Sequence, residues 1–289
     1  MAVSWHQNCG RTSVSCAFNR TSPGLFGRGM RRVGRILVGA SLLVGVSSAA
    51  ATILPWPSSP GWTAGAPLPG QTRSQSFTAV DPNDVTVSIN NNGASASGAS
   101  WSAGYPAINS TLLNGGNPGT NGLQLFLTAQ SSTTSYVQVT VTFAAPVINL
   151  SVQLWDVDAS DQYKDTITQI QGLAQGGGIV AADTITSAVA GYNTITGSGL
   201  STVVTGTAQA SNTTNQGTID INFVQPITEF SFRYSNTDAD LGSQGIGLGP
   251  MSFVVVPEHT NSIVFLVLFA AIALQFARQR SQFRSTPKL

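Results

Sequence analysis

The octet Tyr136-Val-Gln-Val-Thr-Val-Thr-Phe143 places Val137, Val139, Val141 and Phe143 at every second position, with Gln138, Thr140 and Thr142 between them. Successive side chains of a strand point to opposite sides of its sheet, so this period predicts a half-buried β-strand. The pattern does not stop there. Val139-Thr-Val-Thr-Phe-Ala-Ala-Pro146-Val-Ile-Asn-Leu-Ser-Val-Gln-Leu154 lines up, eighty residues on, with Ile219-Asp-Ile-Asn-Phe-Val-Gln-Pro226-Ile-Thr-Glu-Phe-Ser-Phe-Arg-Tyr234. Each copy reads as a strand, a turn marked by proline and a second strand. Two copies are too few for a solenoid, so the sequence predicts equivalent hairpins of one domain.

Working outward, Val85, Val87 and Ile89 alternate with polar residues, and Leu123–Leu127 adds a further short run. Gly, Asn and Pro separate these runs, and no helical period lies between them. The expected fold is all-β: an antiparallel β-sandwich, jelly-roll-like or immunoglobulin-like, over residues 76–256. Residues 52–75 precede it as an arm or linker, because Pro55, Pro57, Pro60, Pro67 and Pro69 interrupt any ladder. Trp56 and Trp62 in that arm are read as anchors that pin it to the sheet, with sugar-stacking platforms as the alternative. The closing stretch Gly245-Ile-Gly-Leu-Gly249-Pro250 is read as a glycine-marked bend into the last strand, since no helix follows it to make a nucleotide loop.

Both copies of the repeat run into acidic segments. Asp156, Asp158 and Asp161, with Asp165 beyond, follow the first, and Asp238 and Asp240 follow the second. If pseudo-symmetry relates the hairpins, both segments lie at one end of the domain. Carboxylates so grouped can supply the six to eight oxygens that Ca²⁺ prefers. They can equally be solvated turns, since Asp side chains bond their own backbone. Trp101, Tyr105, Trp155 and Tyr163 are the aromatic candidates for a carbohydrate ligand at that end, and core packing is the alternative for some of them.

Residues 52–256 carry three cationic side chains against eleven acidic ones, a formal charge of −8 that the whole-chain value of +1 conceals. An acidic body repels phosphate backbones, so nucleic acid is not an expected partner. The same residues hold no Cys and no His, which excludes thiol and Ser-His-Asp catalysis and any His-bearing zinc site. Only carboxylate chemistry of the glycosidase kind is left to an enzyme, and loops rich in turn residues give no sign of the needed pKa separation. The expectation is a non-enzymatic protein.

The two ends read as addresses. Met30-Arg-Arg32 with Arg35, then Ile36–Val46, then the small residues to Ala51 predict a cleavable secretory signal over 30–51. Residues 1–29 show no pattern and are read as a mis-assigned start, or as an extended basic region. At the other end Val256-Pro257-Glu258-His259 precedes an uncharged run at about 260–277, then Arg278, Arg280, Arg284 and Lys288 within 278–289. The run is just long enough for a single transmembrane helix with its basic end left in the cytoplasm. This layout over 257–289 resembles the PEP-CTERM sorting signal, with His259 where that family has a second proline. The resemblance implies that an exosortase-like enzyme acts near Pro257 and Glu258. The protein would pass from an inner-membrane intermediate to the cell surface or extracellular matrix. Three functions follow: a structural or adhesive surface protein, a calcium-assisted module binding extracellular polysaccharide, or, remotely, a carboxylate glycosidase.

Overall fold

The computed structural model describes residues 50–81, 84–92, 100–102, 104–128, 135–237, 243–256, 269–270 and 272–276. In chain order the strands are β1 (Thr52–Leu54), β2 (Thr72–Phe77), β3 (Val85–Asn92), β4 (Ser100–Trp101), β5 (Ala107–Asn109) and β6 (Gly122–Thr128). The long β7 (Tyr136–Trp155) follows, then β8 (Ala159–Ser160), β9 (Tyr163–Ala174), β10 (Ile179–Ala181), β11 (Thr184–Ser187) and β12 (Asn193–Thr196). A 3₁₀ turn at Gly199–Ser201 leads to β13 (Val203–Gly206), β14 (Ile219–Phe223), β15 (Ile227–Asn236), β16 (Gln244–Leu248) and β17 (Met251–Val255). The fold is all-β and its pairings are antiparallel.

β7 organises the rest. Its first half lies between β3 and β15, with Val141 opposite both Val87 and Phe230. Past Pro146 and Asn149, the latter at a left-handed φ of 52°, its second half pairs with β14 and β17. The two repeat copies therefore pair with each other, and reciprocally. The first strand of copy one takes the second strand of copy two (Val139 opposite Phe232), and the second strand of copy one takes the first of copy two (Val152 opposite Ile221). Such an exchange is what a local two-fold relation between two hairpins produces. Both halves of β7 contribute to one buried cluster, in which Val137, Val139, Val141, Leu150, Val152 and Leu154 are fully enclosed.

The proline-rich arm is held down at both ends. β1 pairs with β17, and buried Trp56 donates its Nε1–H to the Gly249 carbonyl at 2.8 Å. The Trp56 ring meets Phe77 edge-on at 5.3 Å, and Trp62 stacks on the same ring at 6.5 Å. The arm is thus part of the domain rather than a linker outside it. Gly245–Gly249 is not a bend either, since it forms most of β16, paired along its length with β6. Its glycines make room: a Cβ on Gly247 would sit 3.0 Å from the Trp155 ring and one on Gly249 2.6 Å from it.

Residues 269–270 and 272–276 are helical. Among the described residues no helix is long and apolar enough to cross a membrane. The secretory segment but for Ala50 and Ala51, the remainder of the 260–277 run, Pro257, Glu258, Arg278 and Arg280, and Asp238 and Asp240 lie outside the described residues.

Candidate functional site

Three aspartates are interior. Asp156, Asp158 and Asp165 are 5%, 1% and 0% exposed, while Asp161 lies at the exposed turn between β8 and β9. The solvated-turn alternative therefore fits Asp161 and fails for the other three. Chain from fifty residues away closes over them. The Ala210 N–H donates to Asp158 Oδ2 at 2.7 Å, and the Asn193 side-chain amide donates to the Val157 carbonyl at 3.1 Å. The Tyr234 hydroxyl donates to Asp165 Oδ1 at 2.9 Å, and the Asp158 N–H to Asp165 Oδ2 at 3.3 Å. Tyr163, half-buried, donates more loosely to Asp158 Oδ2 at 3.4 Å.

The end of β15 lies beside the trio, since Asn236 pairs with Asp165 and accepts the Lys164 N–H at 2.9 Å. No cationic side chain figures among the groups acting on the trio, so burial dominates its electrostatics. Burial, and then the charge of Asp158, push Asp156 up to about 8. Asp158 is raised by burial to about 6, against the Ala210 N–H and the Tyr163 hydroxyl. Burial and the charge of Asp158 hold Asp165 well above the carboxylate range, although the Tyr234 hydroxyl opposes them. Asp156 Oδ1 and Asn193 Oδ1 are buried with no hydrogen-bond partner.

The donor chemistry fits a hard cation such as Ca²⁺, because every candidate atom is an oxygen. The described residues alone do not complete a shell. Among them no group of three or more His, Cys, Asp or Glu side chains converges on a metal position.

The aromatic candidates do not share one surface. Trp155 is wholly buried and so is out of reach of a ligand. Tyr163 serves Asp158, Trp101 donates its Nε1–H to the Pro67 carbonyl at 2.9 Å, and Tyr105 packs on Phe126 at 5.5 Å.

A second feature lies on the polar face of the octet, which the candidate aromatics do not mark. Gln138, Thr140 and Thr142 of β7 line an open groove of ≈ 560 Å³ with Ser88, Asn90 and Asn92 of β3, Tyr136, Glu229, Gly70 and Thr72. Its floor is tied by cross-strand bonds, Ser74 to Ser88 at 2.8 Å and the Asn90 amide to the Thr72 hydroxyl at 2.7 Å. Beside it the Arg233 guanidinium lies 3.9 Å from the centre of the Tyr136 ring and donates to Gln138 Oε1 at 3.3 Å.

No family model and no curated protein matches the chain. Among solved structures it is similar to a family 11 carbohydrate-binding module from Clostridium thermocellum in complex with a beta-1,3-1,4-mixed-linked tetrasaccharide. The identity is 12% over 74% of this chain and 100% of that one, with a TM-score of 0.27.

Chemically, the acidic end and the groove differ in kind. The first is a sealed cluster able to hold protons or a cation. The second is an open, hydroxyl- and amide-lined face with one aromatic ring, one guanidinium and one carboxylate.

Proposed function

We propose that the chain is a non-catalytic structural or adhesive protein of the cell surface or extracellular matrix, its body a β-sandwich, exported by residues 30–51 and sorted by 257–289. The observation that supports a non-catalytic role is the state of the three perturbed carboxyls. A glycosidase needs an acid and a base flanking an open substrate cleft. Here Asp156, Asp158 and Asp165 are closed off by Ala210, Asn193 and Tyr234, with at most 5% exposure. The open groove beside them is lined by Asp161, Lys164, Thr207 and Gln209 instead. Support for the address comes from the sequence alone, in the order Pro257-Glu258, uncharged run, arginine cluster. Mass spectrometry of surface material is expected to place the mature C-terminus close to Glu258. Peptides that retain Arg284 in that material would count against exosortase-type processing.

The unpartnered Asp156 Oδ1 favours a second reading, in which Asp156, with oxygens from outside the described residues such as Asp238 and Asp240, holds a calcium ion at the acidic end. The ion would supply the positive charge that no described side chain brings to the trio. Thermal unfolding of the full chain with millimolar calcium, then with chelator, tests it. At about a hundredfold saturation the gain is about 2.7 kcal/mol, a rise of roughly 5 to 10 °C for a domain of this size. An unchanged midpoint would leave the trio to protons and hydrogen bonds.

A further inference from the structure

We propose that the polar groove across β3, β7 and β15 binds a neutral polysaccharide; this rests on the reading of the chain as an adhesive protein and names the ligand class. Its lining is the argument. Ser88, Asn90, Gln138, Thr140 and Thr142 are hydroxyls and amides, groups that both donate and accept, as the hydroxyls of a sugar chain do. All but Gln138 are short side chains, those on β3 are already held by bonds to Ser74 and Thr72, and Gln138 accepts from Arg233, so little rotamer entropy remains to be lost when a ligand settles.

Tyr136 and Arg233 add a flat platform. The guanidinium is fixed on the ring at 3.9 Å and bound to Gln138. Planar groups of this kind pack against the apolar face of a sugar ring while their polar edges bond its hydroxyls.

The charge selects the ligand. Glu229 in the groove's lining and Arg233 beside it carry one charge of each sign, and the body around them is acidic. An anionic polymer would be repelled by that body, and a protein partner would ask for an apolar centre that this face lacks. A neutral, hydroxyl-rich chain is complementary to what is there. The groove is also remote in kind from the acidic trio, since none of its lining side chains bonds Asp156, Asp158 or Asp165. Binding is therefore expected to survive chelation.

The test is affinity electrophoresis of the full chain in mild detergent through gels holding dextran, galactomannan, hydroxyethylcellulose or alginate. At least one neutral polymer is expected to retard it, with chelator present and in both low and high salt, and alginate is not. Tyr136→Ala and Arg233→Ala are expected to weaken retardation about tenfold or more. Because Tyr136 is half-buried, Thr140→Lys serves as a second variant that fills the groove from an outward position, and Thr207→Lys, in the separate groove beside Asp161 and Lys164, serves as a control. Retardation by no neutral polymer, by alginate alone, or equally for Thr140→Lys and the unaltered chain would overturn the inference. Cell fractionation run beside it separates the two readings. A surface-located protein that no neutral polymer retards loses only the groove, whereas a cytoplasmic one loses the adhesive role itself.

Discussion

Trp155→Ala is expected to lower the stability of the domain by about 3–5 kcal/mol, the range for deleting a buried aromatic ring. For a domain of this size that is a fall in Tm on the order of 10 °C, read by thermal or denaturant unfolding. Trp155 ends β7 and is fully buried. Its ring is walled by glycines from three segments: an added Cβ would lie 2.3 Å from it at Gly115, 2.4 Å at Gly122 and 2.6 Å at Gly249. Backbone, not flexible side chain, forms these walls, so the cavity left by alanine cannot collapse. Its Nε1–H donates to Gln153 Oε1 at 3.2 Å, and Gln153 in turn donates to Asp220 Oδ1 at 2.8 Å, which links β7 to β14. The converse change, Gly247→Ala, should cost about 1–3 kcal/mol by overpacking, since the new Cβ meets both the ring and the Leu113 carbonyl. A loss below about 1 kcal/mol for Trp155→Ala would mean that the glycine cage is not as closed as described.

In the presence of chelator, stability is expected to fall as the pH rises from 5 to 8.5. Asp156 and Asp158 ionise near 3.8 when unfolded and are raised to about 8 and about 6 when folded. Between those values the folded state binds more protons than the unfolded one, so raising the pH removes stability. The contribution is whole below about pH 4 and is lost as the pH climbs through 6 and then 8, at about 1.4 kcal/mol per unit for each group. For Asp156 the full span is on the order of 5 kcal/mol. Asp84 runs the other way but outside this window: burial raises it, the N–H groups of Ala79, Asp81 and Val80 outweigh that, and its contribution disappears only in acid. Asp156→Asn keeps the shape and removes the ionisation, so it should flatten the profile and be the more stable form at pH 8.5. A wild-type Tm that is level across the range would contradict the burial of the trio.

Much of the fold is legible in the sequence, for a local reason. Period two in Val85–Ile89, Tyr136–Phe143 and Ile219–Phe223 is imposed by the pleat itself, and those residues are β3, β7 and β14. The eighty-residue repeat is legible as two similar units, and Trp56 as an anchor of the arm. What could not be read depends on partners far along the chain. Asp156-x-Asp158 looks the same whether water or residues 193–210 cover it, and the covering N–H belongs to Ala210. Gly245–Gly249 reads as a bend because a glycine that clears space for an indole carries no local mark of it. Trp155 reads as a ligand-binding aromatic for the same reason, although it is wholly buried. The groove was half visible, since the outward Gln138, Thr140 and Thr142 are in the octet, but Glu229 and Arg233 join them only through the β7–β15 register.

The reciprocal pairing of the repeats also sets an order of events in time. A chain emerging N-terminus first presents β3 and β7 early, yet the other strands that flank β7, namely β14, β15 and β17, lie many tens of residues downstream. β1, the earliest strand of all, waits for β17, the last. Such distant contacts make closure slow relative to helical bundles of similar size. The sheet therefore cannot close fully until nearly all of the domain has been delivered, and an unclosed chain is the state in which a polypeptide is threaded most easily through a narrow pore.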